Sequence, residues 1–144
     1  MPSRRRYRFC ATVAGALLAM VAVGCEGGDI CFDDVSADCA PQYEPTFDNV
    51  FTNTLLPSCA QAGACHATGS AAGGLTFETA NGSHAQLVGD VDGVARALPN
   101  DAPCSLLIQR LETGEADQLM PPGGQLSAAE RCAIIQWVQN GAKR

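Results

Sequence analysis

The chain opens with an export leader, and that decides the chemistry of every cysteine behind it. Arg4, Arg5, Arg6 and Arg8 precede a run from Phe9 to Val23 that carries no charge and stops at Gly24-Cys25. Basic, apolar and small-residue parts in this order mark a secretory signal. The run is too short for a stable membrane span. Exported chains meet oxidising conditions, so the cysteines that follow are expected in disulfides or as ligands. Cys10 leaves with the leader, and Cys31, Cys39, Cys59, Cys65, Cys104 and Cys132 remain besides Cys25.

The tail Ala22-Val23-Gly24-Cys25 resembles a lipoprotein-processing box, which implies removal of residues 1–24 and a lipid on Cys25. Localisation in the periplasm or cell envelope, with membrane contact only through that anchor, follows as an expectation. Once the leader is gone, Arg96, Arg110, Arg131, Lys143 and Arg144 stand against fifteen acidic side chains. So negative a surface repels nucleic acid and anionic lipid, which removes both as partners. Residues 25–45 hold Glu26, Asp29, Asp33, Asp34, Asp38 and Glu44 with little apolar periodicity. They read as a solvated tether, with a small loop that Cys31 and Cys39 can close.

Residues 46–144 are long enough for one core and read as all-α. Thr46 can cap a helix to Leu56 whose apolar face is Phe47, Val50, Phe51, Thr54 and Leu55, and Pro57 ends the pattern. Cys59 and Cys65-His66 then fall just past a helix end. The segment Thr68 to Gly74 is a loop of small residues, and Ser83 to Val88 reads as one or two turns of helix. Residues 89–103 read as loop. A helix over Cys104 to Glu112 carries the stripe Cys104, Leu107, Ile108 and Leu111. The strongest helix signals come last: Ser127 with Glu130 is a capping box, Cys132, Ile135 and Val138 share a face, and Gly141 is a left-handed stop. With Cys104 and Cys132 each on the apolar stripe of its helix, facing stripes would let the two sulfurs bridge.

Three side chains carry the chemistry. Cys65 is followed at once by His66, and Met120 opens the run Met120-Pro121-Pro122-Gly123-Gly124. A thiol beside an imidazole, with a distant thioether in a constrained loop, is the ligand set of a covalent c-type haem: Cys65 fixes a vinyl group, His66 sits under the iron and Met120 opposite. The spacing departs from the usual site, because Ala62 occupies the position three before Cys65 and the nearest upstream thiol is Cys59. Three outcomes stay open. Cys59 and Cys65 both hold the haem, Cys65 holds it alone, or the two thiols oxidise to a disulfide and the cofactor is lost. Cys59, Cys65, His66 and His84 also form a feasible zinc set, but without the close cysteine pair that structural zinc favours. His84, among Asn81, Gly82 and Ser83, reads as a solvated residue of a polar turn, and Met120 as a core filler is the plain alternative to Met120 as a ligand.

The stretch from Phe47 to Ala142 resembles the cytochrome c-type domains attached to bacterial lipoproteins of planctomycetes and myxobacteria. The resemblance rests on Leu55-Leu56-Pro57-Ser58-Cys59, Cys65-His66, Gly73-Gly74-Leu75, Cys104 to Leu111, Met120-Pro121-Pro122-Gly123, Leu126 to Glu130, and Ile135 to Ala142. It implies a small cytochrome c-like helical domain with extensive loops and one covalent haem c held by Cys65 and His66, with Cys59 the candidate for the second attachment because Ala62 stands where the family has its first cysteine. It further implies His66 and Met120 as axial ligands, and single-electron transfer to a redox partner protein. Phe51, Leu55, Leu75, Leu107, Ile135 and Trp137 would wall the porphyrin. The alternative is a haem-free, disulfide-stabilised lipoprotein domain that binds or supports, in which the same apolar residues collapse into a small packed core. Nothing points to a catalyst: there is no Gly-x-Gly-x-x-Gly segment and no phosphate loop with Lys, and adjacency of Ser83 and His84 does not make a dyad.

Overall fold

The helix Ala128–Gln139 (α4) is the spine of the domain, and both of its ends follow from local chemistry. The Ser127 hydroxyl accepts the Glu130 N–H at 3.2 Å and the Glu130 carboxylate accepts the Ser127 N–H at 3.0 Å, which satisfies two donors the helix cannot pair internally. At the far end Gly141 adopts φ 98°, its N–H reaches the Val138 carbonyl, and the Ala142 N–H reaches the Trp137 carbonyl. That is a Schellman stop, and it needs the left-handed residue that glycine supplies without strain. Cys132, Ala133, Ile134, Ile135, Trp137 and Val138 of α4 are all buried. So broad a buried surface means that α4 is packed on more than one side.

The computed structural model describes residues 31–61, 65–90 and 95–144. The expected leader 1–24, the lipidation residue Cys25, and Ala62 with its neighbours Gly63 and Ala64 lie outside them. Among the described residues the domain is a small all-α fold with long loops and no strand. The first helix runs Phe47–Val50 (α1) and continues without a break as wider π-type turns over Phe51–Cys59. Thr46 caps it, accepting the Asn49 N–H at 3.4 Å. Pro57 was expected to end this helix; the wider turns instead accommodate a residue with no N–H to give, so Cys59 closes the helix. A short 3₁₀ turn, Ala72–Gly74, interrupts the small-residue loop. The next helix, Ala80–Val88 (α2), is capped by Thr79, and Leu106–Glu112 (α3) precedes α4. α3 and α4 are joined by the Arg131–Glu112 ion pair at 2.8 Å.

Three helices meet around aromatic rings. Phe47 of α1 lies 5.1 Å from Trp137 of α4 and 4.9 Å, edge on, from His84 of α2. His84 is therefore no solvated turn residue: its Nε2 pairs with the Ala142 carbonyl at 2.8 Å and its ring is part of the packing. Ser83, its neighbour, is fully buried and its hydroxyl has no hydrogen-bond partner among the described residues. A buried hydroxyl without a partner costs about 1–3 kcal/mol, and alanine is the better helix former. Ser83→Ala is expected to raise stability by about 1 kcal/mol, read as a higher midpoint in urea unfolding; a fall would point to a partner for the hydroxyl.

Two disulfides set the path of the acidic lead, and both correct the expected pairings. Cys31 bonds to Cys104 and Cys39 to Cys132, so neither a Cys31–Cys39 loop nor a Cys104–Cys132 staple forms. Cys104 does not sit on the stripe of α3, because the chain around it is a turn in which the Asp101 carboxylate accepts the Cys104 N–H at 3.2 Å. Cys132 is on the buried face of α4 but meets the lead. From residue 31 onward the lead lies against the domain. The Phe32 N–H bonds the Pro103 carbonyl, the Gln42 N–H bonds the Ala129 carbonyl, and the Gln136 side chain donates to the carbonyls of Ala37 and Cys39. Val35, Ala37 and Tyr43 pack on the core. The Tyr43 hydroxyl meets that of buried Thr54 at 2.5 Å, and burial pushes its phenol above the ordinary range, so it stays neutral.

Candidate functional site

The helix that ends at Cys59, α3, and the loops around residues 65–77 and 117–126 enclose a cleft of about 780 Å³. Its walls are mostly apolar, with Leu55, Leu75, Phe77, Leu87, Leu106, Leu107, Leu111, Leu126 and Ile134 contributing. Clefts of a few hundred to a thousand cubic ångströms with such walls are the usual size for small-molecule sites. The residues singled out in the sequence meet here: Cys59, Cys65, His66 and Met120 all line it. Of the expected walls, Leu55, Leu75 and Leu107 line the cleft, whereas Phe51, Ile135 and Trp137 do not.

His66 is held on three sides. Its N–H bonds the Cys59 carbonyl at 3.2 Å, its carbonyl accepts the Phe77 N–H at 3.0 Å, and its ring lies 5.3 Å from that of Phe77. Nδ1 meets the Leu75 carbonyl at 3.1 Å. A carbonyl can only accept, so this contact places a proton on Nδ1. Met120 is placed by its own N–H, which bonds the Arg110 carbonyl at the end of α3 at 2.8 Å. The peptide between Met120 and Pro121 is cis.

The two cysteines at the cleft are free thiols and differ in state. Cys59 is half-buried, and burial, reinforced by the charge of Glu130, pushes its thiol up to about 11. At neutral pH it is a protonated, apolar wall group, and a thiol in that form is neither nucleophile nor metal ligand. Cys65 is exposed. The expected alternative of a Cys59–Cys65 disulfide is not what the structure holds.

Residues 63–124 match the family described as Planctomycete cytochrome C. This is a likeness over less than half of the chain. It includes Cys65, His66 and Met120 but begins after Cys59. It also leaves out α1, α4, the acidic lead and three of the four bridged cysteines. No curated protein and no solved structure matches the chain.

The expectation of a c-type cytochrome with one covalent haem c is therefore corrected. Cross-linking in this domain is done by two long-range disulfides, which use Cys31, Cys39, Cys104 and Cys132. Cys59, Cys65 and His66 do not converge as a metal-holding group, and among the described residues no three His, Cys, Asp or Glu side chains do. The zinc set fails on the same ground, with His84 engaged by Ala142 and Phe47. Haem attachment, iron ligation by His66 and Met120, and electron transfer to a redox partner are withdrawn with it. The sequence order of cysteine, histidine and methionine located a cleft; the haem chemistry read from that order, and implied again by the resemblance, does not hold.

Sequence reasoning missed two residues of the site. Arg96 and Arg110 both line the cleft. Isolated arginines belong to no motif, but Arg110 stands inside the apolar run Leu106 to Leu111 of a chain poor in basic residues, which was the available signal.

Proposed function

We propose that this protein is a haem-free, disulfide-stabilised binding domain, exported and tethered to the cell envelope through a lipid on Cys25, that takes up an apolar small molecule. The observation that carries the reading is the apolar cleft of about 780 Å³. A haem-free domain with no ligand is expected to close such apolar walls into its core, and here they stay apart as a cleft, which leaves room for an occupant. Open walls of leucine beside a core that is elsewhere closed, with Val50, Ile108 and Val138 at 0 % exposure, favour a built binding site over loose packing. The leader and the box around Cys25 support the location, and two disulfides suit an oxidising compartment. The docked lead supports a short, stiff attachment of the domain beyond residue 31.

The reading is tested on full-length protein purified from an export-competent host that carries haem-attachment machinery. A neutral fluorescent apolar probe, N-phenylnaphthylamine, is expected to bind at one site, and Leu107→Arg should weaken it by about tenfold or more. Denaturing mass spectrometry after alkylation should find Cys59 and Cys65 as free thiols. Failure of the probe to bind, or a covalent adduct other than the alkylating reagent on either thiol, overturns the proposal.

A further inference from the structure

The charge around the cleft opposes the charge of the chain. The domain is strongly acidic, yet two of its few basic side chains, Arg96 and Arg110, line this one apolar space, and Asp117 is the single carboxylate among the described lining residues. Arg96 is rigidly placed. Its Nη1 donates to the Gln86 carbonyl at 3.2 Å and its Nη2 to the Gly73 carbonyl at 2.8 Å, which tie the end of α2 to the small-residue loop. Both partners are neutral, so the fork is oriented and its charge meets no carboxylate among the described residues.

Arg110 sits in the last turn of α3, half-buried, between apolar neighbours that face the cleft. Its guanidinium makes no ion pair among the described residues, whereas Arg131 and Arg144 both pair with carboxylates. The plain account is that Arg110 lays its stem over apolar surface and offsets the helix dipole. That account covers Arg110 alone. It does not explain why a second guanidinium with no ion pair among the described residues borders the same cleft in a chain where acidic side chains are abundant.

From this, and resting on the proposed binding role, we infer that the ligand is an apolar molecule with one carboxylate end, a long-chain fatty acid in chemical class, whose carboxylate is received by Arg110 and Arg96. A planar fork that presents two N–H groups matches a carboxylate, and the surrounding leucines take the hydrocarbon. The volume suits one small ligand rather than a lipid with two chains.

The test titrates the full-length protein with cis-parinaric acid and, separately, with its methyl ester, which keeps the hydrocarbon and loses the charge. The wild type should bind the acid about tenfold or more tightly than the ester. Arg110→Gln should bring that ratio close to one, and Arg110→Lys should keep part of it; folding of each variant is checked by circular dichroism. Equal affinity of the wild type for acid and ester overturns the arginine inference and leaves the apolar site standing. An unchanged ratio in Arg110→Gln also overturns it. If neither probe binds, the binding role itself falls.

Discussion

Replacing Cys39 and Cys132 together with serine is expected to lower stability by about 4 kcal/mol, seen as a large fall in the urea midpoint with a somewhat steeper slope, because the unfolded chain freed of the cross-link exposes more surface. The bridge spans 93 residues, and cross-linking a loop of that length restricts the unfolded chain by about 4–5 kcal/mol in the chain-entropy account. The Cys31–Cys104 bridge spans 73 residues, and because the dependence on length is logarithmic its removal should cost nearly as much. The loops interlock, so each bridge pins the lead to a different part of the domain: one to the turn before α3, the other to the middle of α4. Against a total of about 5–15 kcal/mol for a domain of this size, loss of both should leave it largely unfolded at growth temperature. A midpoint shift equivalent to less than about 1 kcal/mol for either pair would mean that docking of the lead, through Gln136 and Tyr43, carries the stability instead.

That pairing could not be read from spacing. Four cysteines allow three connectivities, and choosing among them takes the distances that the fold alone provides. Cys104 and Cys132 both fall at apolar stripe positions in the sequence, which points to a bridge between them, but Cys104 lies before the first residue of α3, where the stripe does not exist. The lead was hidden by its composition: six acidic residues read as a solvated segment, while Val35, Ala37 and Tyr43, too few to show a period, are what seat it.

What was legible had a local cause. The capping box of Ser127 and Glu130, the stop at Gly141 and the face Phe47, Val50, Phe51, Thr54 and Leu55 each depend on neighbours within a few residues; box and stop stand as the sequence implied, and of the face all but the partly buried Phe51 are buried. A buried face, however, does not say which body it faces. Phe51, Ile135 and Trp137 were placed at the cleft because they are apolar, yet they serve the core on its other side. For the site, the order of Cys65, His66 and Met120 pointed to the cleft. The thiol state of Cys59 and the placement of Arg96 and Arg110 on the cleft are not set by sequence order.

Trp137→Ala separates core from cleft most sharply. The ring is 2 % exposed, its centroid lies 5.1 Å from Phe47 and 6.1 Å from His84, and its Nε1–H donates to the Lys143 carbonyl at 2.8 Å. It thus binds α4 to α1, α2 and the chain end, where Arg144 also covers Phe47 and pairs with Asp48. Truncating a buried tryptophan to alanine costs about 3–5 kcal/mol, from lost contacts and the cavity left behind. Leu56→Ala, at an apolar residue that is 42 % exposed, should cost less than about 0.5 kcal/mol in the same urea series. Because Trp137 does not line the cleft, the folded fraction of Trp137→Ala should bind N-phenylnaphthylamine with the wild-type dissociation constant, whereas a true wall residue such as Leu107 should lose binding when replaced by arginine. A Trp137→Ala protein that keeps its stability and loses the probe would reverse the assignment of these two faces of the domain.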